Sequence, residues 1–525
     1  MQLHKACKSM PSARDVVVLL LVVVLAGCAV KTVAPYQRPA PEYAMPAAAD
    51  GAFADIEREI RAEHGPDVSG FELLDSNEDG LLWRLALIDS AKYSIDVQYY
   101  LWYGDDAGRL MAKRLIDAAD RGVKVRMLVD DLNTLISDAT SVQLRDRVAA
   151  WLDAHPNIEL RLFNPWTNRD LGGRLGESIS ELERVNQRMH NKSMIVDNRA
   201  VIIGGRNIGD EYMGLHSEFN FHDLDVLGVG PVARQASTVF DEYWNSEWVM
   251  PVSALKFTIT KAEQDEARAQ MLDRLEAAKS LANIPLEPQS WSKEISFLQQ
   301  RLHTGTSHVY SDIPVGNAIE HVMLEYQYEM MLSAQKELLI VNAYIIPAER
   351  GISLLHELNA RGVDIKILTN SLASHDVPAV NSHYKRWRKP ILETGAKLYE
   401  MRHDAPIQPL VADTPPTHAK FMGLHSKAMA VDGKRVYIGS MNYDPRSAQI
   451  NTEMGAFIES PALAQDLAKL IERDIQPANS WQVTLNEKGQ LRWTDDKETL
   501  TRQPARNWWQ RVQDVFFMSF PKEYY

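Results

Sequence analysis

One local pattern occurs twice in this chain, about 235 residues apart, and the duplication limits the folds open to it. The first copy is His190-Asn191-Lys192-Ser193-Met194-Ile195-Val196-Asp197, followed by Val201-Ile202-Ile203-Gly204-Gly205-Arg206-Asn207. The second is His425-Ser426-Lys427-Ala428-Met429-Ala430-Val431-Asp432, followed by Val436-Tyr437-Ile438-Gly439-Ser440-Met441-Asn442. On a strand, residues i and i+2 share a face, so each histidine projects beside its lysine. Asp197-Asn198 and Asp432-Gly433 read as tight hairpin turns, which fold the glycines and asparagine back alongside.

The repetition extends upstream. In the first copy a helix over 81–90 precedes an extended run, 94–100, and a helix over 107–119 leads into Arg121-Gly122-Val123 and a strand to Asp130. In the second, a helix over 317–333 precedes an extended run, 338–344, and a helix over 352–360 leads into Arg361-Gly362-Val363. Glycine just after a helix, followed by β-branched residues, stops one element and starts the next. Strands alternating with helices imply an α/β layer fold, and 525 residues are too many for one ordinary core. The expected division is a first repeat over 70–254, a connector over 255–305, a second repeat over 306–476 and a tail over 477–525. The connector carries a charged helical stretch, 261–282, whose sparse apolar positions suit a solvated linker. The tail holds a hairpin around Asn486-Glu487-Lys488-Gly489 and an aromatic, roughly helical stretch, 507–518. That stretch fits either a membrane interface or docking against the second repeat.

The repeated residues form the inventory that a phosphodiester requires. A nucleophile must attack phosphorus, an acid must protonate the departing alcohol, and donors must hold the non-bridging oxygens. His190 and His425 can divide the first two tasks if one is neutral and the other charged near neutral pH. Lys192, Lys427, Asn207 and Asn442 suit the third, and Gly205 and Ser440 beside them let backbone approach a phosphate. Asp197 and Asp432 complete each motif, yet a turn aspartate needs no chemical role, and both readings stay open.

The paired motifs resemble the phospholipase D superfamily, over both repeats from about Phe71 to Ile458. Arg188-Met189-His190-Asn191-Lys192-Ser193, Gly204-Gly205-Arg206-Asn207-Ile208-Gly209-Asp210 and Asp223-Leu224-Asp225-Val226 are similar to its bacterial cardiolipin synthase branch, most closely the C-type members. Gly439-Ser440-Met441-Asn442-Tyr443-Asp444-Pro445-Arg446-Ser447 and Asn451-Thr452-Glu453 fit the same branch. The resemblance implies two similar α/β/α sandwich repeats, related by a pseudo-twofold axis and sharing one active site. It implies a phosphohistidine mechanism without metal or other cofactor. His190 then attacks and His425 protonates the leaving alcohol, with Lys192, Lys427, Asp197 and Asp432 in the catalytic motifs. Asn207, Asn442, Gly205 and Ser440 bind phosphate. Glu453 matches an acid that orients a motif histidine in relatives. Its counterpart in the first repeat is Asp223 or Asp225, with His190 the histidine to be oriented.

Charge and the N-terminus bear on the substrate. The formal net charge is -13, whereas nucleic-acid proteins normally carry a basic balance, so no nucleic-acid partner is expected. Lys5, Lys8 and Arg14 precede an apolar run, 16–26, too short to cross a hydrocarbon layer of about 30 Å but suited to a secretory signal. Leu25-Ala26-Gly27-Cys28 resembles the lipobox of bacterial lipoproteins, implying removal of residues 1–27, lipidation of Cys28 and attachment to a cell-envelope membrane facing the periplasm. Cys7 is the only other cysteine, so a chain starting at Cys28 has neither disulfide nor thiolate metal site. Residues 28–69 read as a Pro-rich tether with one short helix around 53–63.

Other signals are weaker. Asp75-Ser76-Asn77-Glu78-Asp79-Gly80 imitates the start of an EF-hand loop, but Ala86 stands at its twelfth position, and an acidic helix N-terminus explains it better. Lys385-Arg386-Trp387-Arg388-Lys389 suits lipid headgroups, nucleic acid or merely an exposed helix face. His216, His222, His375 and His383 lack metal-ligand spacing. The expected activity is transfer of a phosphatidyl group from phosphatidylglycerol or phosphatidylethanolamine to phosphatidylglycerol, giving cardiolipin. A phospholipase D hydrolase shares every catalytic residue, and an exported nuclease of the superfamily is the more distant alternative.

Overall fold

The computed structural model describes residues 38–131, 149, 151–167, 171–255 and 260–519. The expected signal segment, Cys28 and the first part of the Pro-rich stretch lie outside the described residues. Two compact units are distinguished: residues 1–40 with 166–185, and residues 41–165 with 186–525. In the described part of the smaller unit, the helix Leu171–Ser180 is tied back to its approach by Glu177, which accepts from the Thr167 amide (2.9 Å) and hydroxyl (2.8 Å).

The larger unit holds both copies of the pattern. Its first half contributes β1 (Ser69–Leu74), β2 (Ser94–Tyr99), β3 (Lys124–Asp130), β4 (Ile158–Phe163), β5 (Ser193–Val196), β6 (Ala200–Gly204), β7 (Phe219–His222), β8 (Asp225–Val229) and β9 (Val249–Pro251). All but β7 form one sheet in the order β9-β4-β3-β2-β5-β6-β8-β1. Its second half contributes β10 (His303–Ser311), β11 (Ile313–Val315), β12 (Ala318–Glu320), β13 (Glu337–Asn342), β14 (Asp364–Asn370), β15 (Lys397–Met401), β16 (Phe421–Leu424), β17 (Lys427–Val431), β18 (Arg435–Gly439), β19 (Met454–Glu459) and β20 (Ser480–Leu485). Here the order is β20-β15-β14-β13-β17-β18-β19-β10, the same order again. β1 and β10 pair antiparallel and join the two halves edge to edge, as a pseudo-twofold relation requires. The strands β2-β3-β4 and β13-β14-β15 run parallel, with the helix Asp106–Asp120 crossing from β2 to β3 and the helix Ala348–Ala360 from β13 to β14, which explains the near-continuous apolar runs there.

Three apolar cores follow from this arrangement. One lies under the helices of the first repeat and one under those of the second. The third is shared, with Val239, Phe240 and Trp244 of the helix Pro231–Trp244 and Leu463, Leu467 and Ile471 of the helix Pro461–Asp474 in one cluster. Among the described residues no helix is long and apolar enough to cross a membrane.

Several expectations need correction. The helix expected over 317–333 begins only at Met323, because a hairpin of β11 and β12 turns at Gly316 (φ 54°) before it. Asp312 then accepts from the amides of Val322 (2.8 Å) and Met323 (3.0 Å) and sets the helix start. The connector is not simply solvated: Met271, Leu275, Trp291, Ile295 and Leu298 enter the first core, and a second helix, Ser292–Arg301, precedes β10. In the Pro-rich stretch the helix Ala52–His64 buries Phe53, Ile56 and Ile60, so this part is a packed element. The basic cluster is only in part an exposed face: Arg386 and Lys389 are exposed, whereas two of its cations are engaged inside the protein. Arg388 is buried against Glu400, and Lys385 bonds Asp514 at 2.7 Å. The acidic segment at Asp75 is a helix start as expected, with Ser76 capping the helix Asn77–Ser90 by accepting from the Asp79 amide (3.0 Å).

Candidate active site

Each motif histidine lies just ahead of a strand, β5 or β17, and its backbone is held by the other repeat. The His190 amide donates to the Thr452 carbonyl (2.9 Å), and the Thr452 amide donates to the Arg188 carbonyl (2.8 Å). On the other side β7 and β16 pair in parallel, with Leu424 opposite His222, and the His425 amide donates to the His222 carbonyl (2.8 Å). That register leaves His190 beside Glu453 and His425 beside Asp223. His190 Nδ1 lies 3.0 and 2.9 Å from the two Glu453 oxygens. His425 Nδ1 lies 2.5 Å from Asp223 Oδ2. The orienting acids are therefore exchanged: Asp223 serves His425, and neither it nor Asp225 reaches His190. Asp225 is a structural anion, ion-paired to Arg84 (2.9 Å) and Arg206 (3.0 Å) in the buried interior.

With both Nδ1 atoms engaged by carboxylates, the Nε2 atoms are the ones free for chemistry. Both histidines line one cleft of about 600 Å³, together with Asn207 and Asn442. The Asn442 side-chain oxygen is buried without a hydrogen bond, and Asn207 Oδ1 accepts from the Leu101 amide (3.2 Å). Such amides suit an incoming phosphate oxygen once the side-chain nitrogen is turned to it. Lys192 and Lys427 are buried beneath the histidines rather than in the cleft wall. Lys192 Nζ donates to the His190 carbonyl at 2.6 Å, and Lys427 Nζ donates to that of His425. Burial drives Lys192 down to about 7 and Lys427 down to about 8, outweighing the nearby carboxylates, chiefly Glu453 for Lys192 and Asp223 for Lys427, which act the other way.

The two halves differ electrostatically. Burial, with Lys192, Lys427 and His425 nearby, holds His190 well below the ordinary histidine range. Its partner Glu453 is pushed well above the usual carboxylate range by burial. Burial opposes ionisation of Asp223 too, but the charge and hydrogen bond of His425, with Lys427 and Arg206, hold its carboxyl well below the usual range. Burial and Lys427 lower His425, while ionised Asp223 works the other way. His190 is thus the histidine kept neutral, and His425 the one with a fixed anion to support its charged form.

Two further assignments change. Gly205 and Ser440 do not face a phosphate with their backbone. Their amides donate to the Leu224 carbonyl (3.2 Å) and the Met454 carbonyl (2.9 Å). Instead they shape the orienting acids: Ser440 Oγ donates to Glu453, and a Cβ on Gly205 would stand 2.2 Å from Asp223 Oδ1. Asp197 and Asp432 sit at the far ends of β5 and β17 in left-handed turns (φ 53° and 55°). Asp197 accepts from the amides of Lys92, Tyr93 and Ser94 (2.9, 2.7 and 3.0 Å), and Asp432 from those of Gln335, Lys336 and Glu337. Their lone pairs are spent fixing the start of the neighbouring strand, so they are not catalytic.

The cleft also contains residues that the motifs do not announce. Tyr100 packs edge-on to His190 (4.9 Å between ring centres) and Tyr212 to His425 (5.2 Å). His375, on a loop after β14, stacks on Tyr344 at 5.2 Å and lines the same cleft. Arg506, from the tail, lies 3.8 Å above the Phe421 ring, and its Nη1 has no hydrogen-bond partner. Only the aromatic stretch just after Arg506 signals in sequence that the tail matters.

Comparison with known proteins agrees with this geometry. Residues 85–244 and 328–475 match the family described as cardiolipin synthase, phospholipase D-like domain. The chain is 37% identical to cardiolipin synthase C of Escherichia coli K12 over 475 residues, which cover 87% of this chain and 96% of that protein. It is 33% identical to an uncharacterized protein of Helicobacter pylori strain J99, covering 81% of this chain and 82% of that one. The crystal structure of phosphatidylserine synthase from Haemophilus influenzae shares the fold, with a TM-score of 0.53 at 15% identity over 81% of this chain and 91% of that one. Two matched segments, each delivering one histidine to a common cleft, place the chain in the phospholipase D-like family of cardiolipin synthases.

Proposed function

We propose that this protein is a phosphatidyltransferase that makes cardiolipin. The observation that carries the reading is the cleft itself: two histidines, each backed by a carboxylate from the opposite repeat, in a family whose named relative is a cardiolipin synthase. His190 Nε2 attacks the phosphorus of phosphatidylglycerol or phosphatidylethanolamine. The P–O bond to the headgroup breaks, and the leaving oxygen takes the proton from His425 Nε2. Glycerol or ethanolamine departs, leaving a phosphatidyl-histidine. His425, now neutral, removes a proton from a hydroxyl of a second phosphatidylglycerol. That oxygen attacks phosphorus, the P–N bond breaks and His190 returns to its neutral form. Asn207, Asn442 and the lysines below them stabilise the charge that builds on the non-bridging oxygens.

The lipobox ending at Cys28 supports attachment to a cell-envelope membrane on the periplasmic side, where an exported enzyme meets these lipids. Mass spectrometry of the mature N-terminal peptide tests this, since the reading requires it to begin at Cys28 with a diacylglyceryl group. For the activity, purified protein is incubated with phosphatidylglycerol, with and without phosphatidylethanolamine, and the lipids are resolved by mass. Cardiolipin is the expected product. Phosphatidic acid alone would establish a hydrolase, and cleavage of DNA but not lipid would remove both lipid readings.

A further inference from the structure

The tail carries a helix turned inside out. Over Trp508–Phe516 the residues facing the protein are polar: Gln510 and Asp514 are 5% and 2% exposed. Gln510 donates to the Leu372 carbonyl (3.2 Å) and accepts from the Arg506 amide (2.8 Å). Asp514 accepts from Asn381 (2.6 Å), Lys385 (2.7 Å) and Gln503 (3.0 Å). The apolar residues point away. Trp508 is 71% exposed, Trp509 53%, Val515 62%, Phe516 61% and Met518 53%. Elsewhere among the described residues, large exposed apolar side chains occur singly or in pairs. A surface helix normally buries its apolar stripe, and an apolar patch left in water marks a contact surface.

Two observations select the occupant. The first is continuity with the cleft. Arg506, which precedes the helix, is part of the cleft wall and stacks on Phe421, another wall residue. The helix Pro378–Tyr384 supplies Val380 to the cleft and Asn381 to Asp514. The second is charge. In a chain of net charge -13, this segment carries Arg502, Arg506 and Arg511, while its one acid, Asp514, is consumed by Lys385. Paired tryptophans with flanking arginines and an outward apolar face suit the boundary between headgroups and acyl chains of an anionic bilayer.

We propose that the helix Trp508–Phe516, with the turn Phe517–Ser519 that follows it, inserts into the surface of an anionic phospholipid membrane and seats the catalytic cleft on it. The proposal rests on the lipid reading of that cleft. Its polar inner face fixes the helix to the cleft wall, so insertion brings Arg506 and the histidines to the level of the headgroups. The element differs from an N-terminal lipid anchor, which tethers the protein without orienting it.

The test uses the full chain and vesicles of phosphatidylglycerol and phosphatidylethanolamine. Acyl chains brominated near the headgroup are expected to quench the fluorescence of the wild-type protein more than that of Trp508→Phe/Trp509→Phe. Equal quenching of the two would overturn the proposal. Val515→Asp/Phe516→Asp is expected to slow cardiolipin formation on vesicles about tenfold or more, because two apolar side chains no longer leave water. Its rate on monomeric dihexanoyl phosphatidylglycerol should stay at the wild-type value. Equal loss on both substrates, or no loss on vesicles, would overturn the insertion. So would unchanged vesicle binding with an altered sedimentation coefficient, which would assign the face to a second copy. The quenching arm needs no turnover, so it fails or succeeds independently of whether cardiolipin is the product.

Discussion

At the scale of single residues, the two histidines differ in what stands behind them. Asp223 is ionised and Glu453 is driven toward its neutral form by burial. Asp223→Asn should therefore cost kcat about a hundredfold or more, as when the carboxylate behind a catalytic imidazole is neutralised. Glu453→Gln, which resembles the neutral acid, should cost much less; a steady-state comparison of the two variants decides. The same asymmetry sets the pH profile. In the free enzyme the lower pKa of kcat/KM belongs to His190 and the upper to His425, since Asp223 opposes the fall of His425. Removing that anion lowers the His425 pKa, so Asp223→Asn should move the upper limb toward acid. A limb that stays in place would refute the assignment of His425 as the acid. His190→Ala and His425→Ala should each abolish turnover. The histidines, lysines and asparagines of this site were legible in sequence because each recurs with its neighbours at one spacing. The pairing of acid with histidine was not, because Asp223 and Glu453 follow the histidine of their own repeat by only about 30 residues, whereas the pairs that form are 202 and 263 residues apart and are set by contacts between the repeats.

At the scale of elements, the motif aspartates belong to strand placement. Asp197→Ala removes the acceptor of three backbone amides and leaves alanine in a left-handed turn, which should cost about 3 kcal/mol of stability. Thermal unfolding should show the loss, while kcat per folded molecule stays near wild type. Loss of kcat without loss of stability would return Asp197 to the chemistry. Gly205→Ala, by contrast, pushes a methyl against Asp223 and should depress kcat more than stability. The strands and hairpin turns were readable from apolar runs punctuated by Asp-Asn and Asp-Gly. The misplaced helix start before Met323 was not, since its position depends on Asp312, a carboxylate supplied from outside the helix.

At the scale of the whole molecule, β1 and β10 join the sheets, β7 and β16 bring His425 to Asp223, and the pairing of Met189 with Thr452 brings His190 to Glu453. One chain therefore makes one site, and equal amounts of His190→Ala and His425→Ala proteins, mixed, should remain inactive. Recovered activity in the mixture would reveal exchange of repeats between chains. The exchange of acids also has a consequence in time. His190 waits for a carboxylate placed 263 residues later in the chain. During synthesis the polypeptide passes most of its length without a working phosphodiester centre, whatever the first repeat has already folded into. A chain released early, or clipped before Glu453, carries a reactive-looking histidine but cannot turn it on lipids. Ordering the parts this way makes completion of the protein the condition for its chemistry.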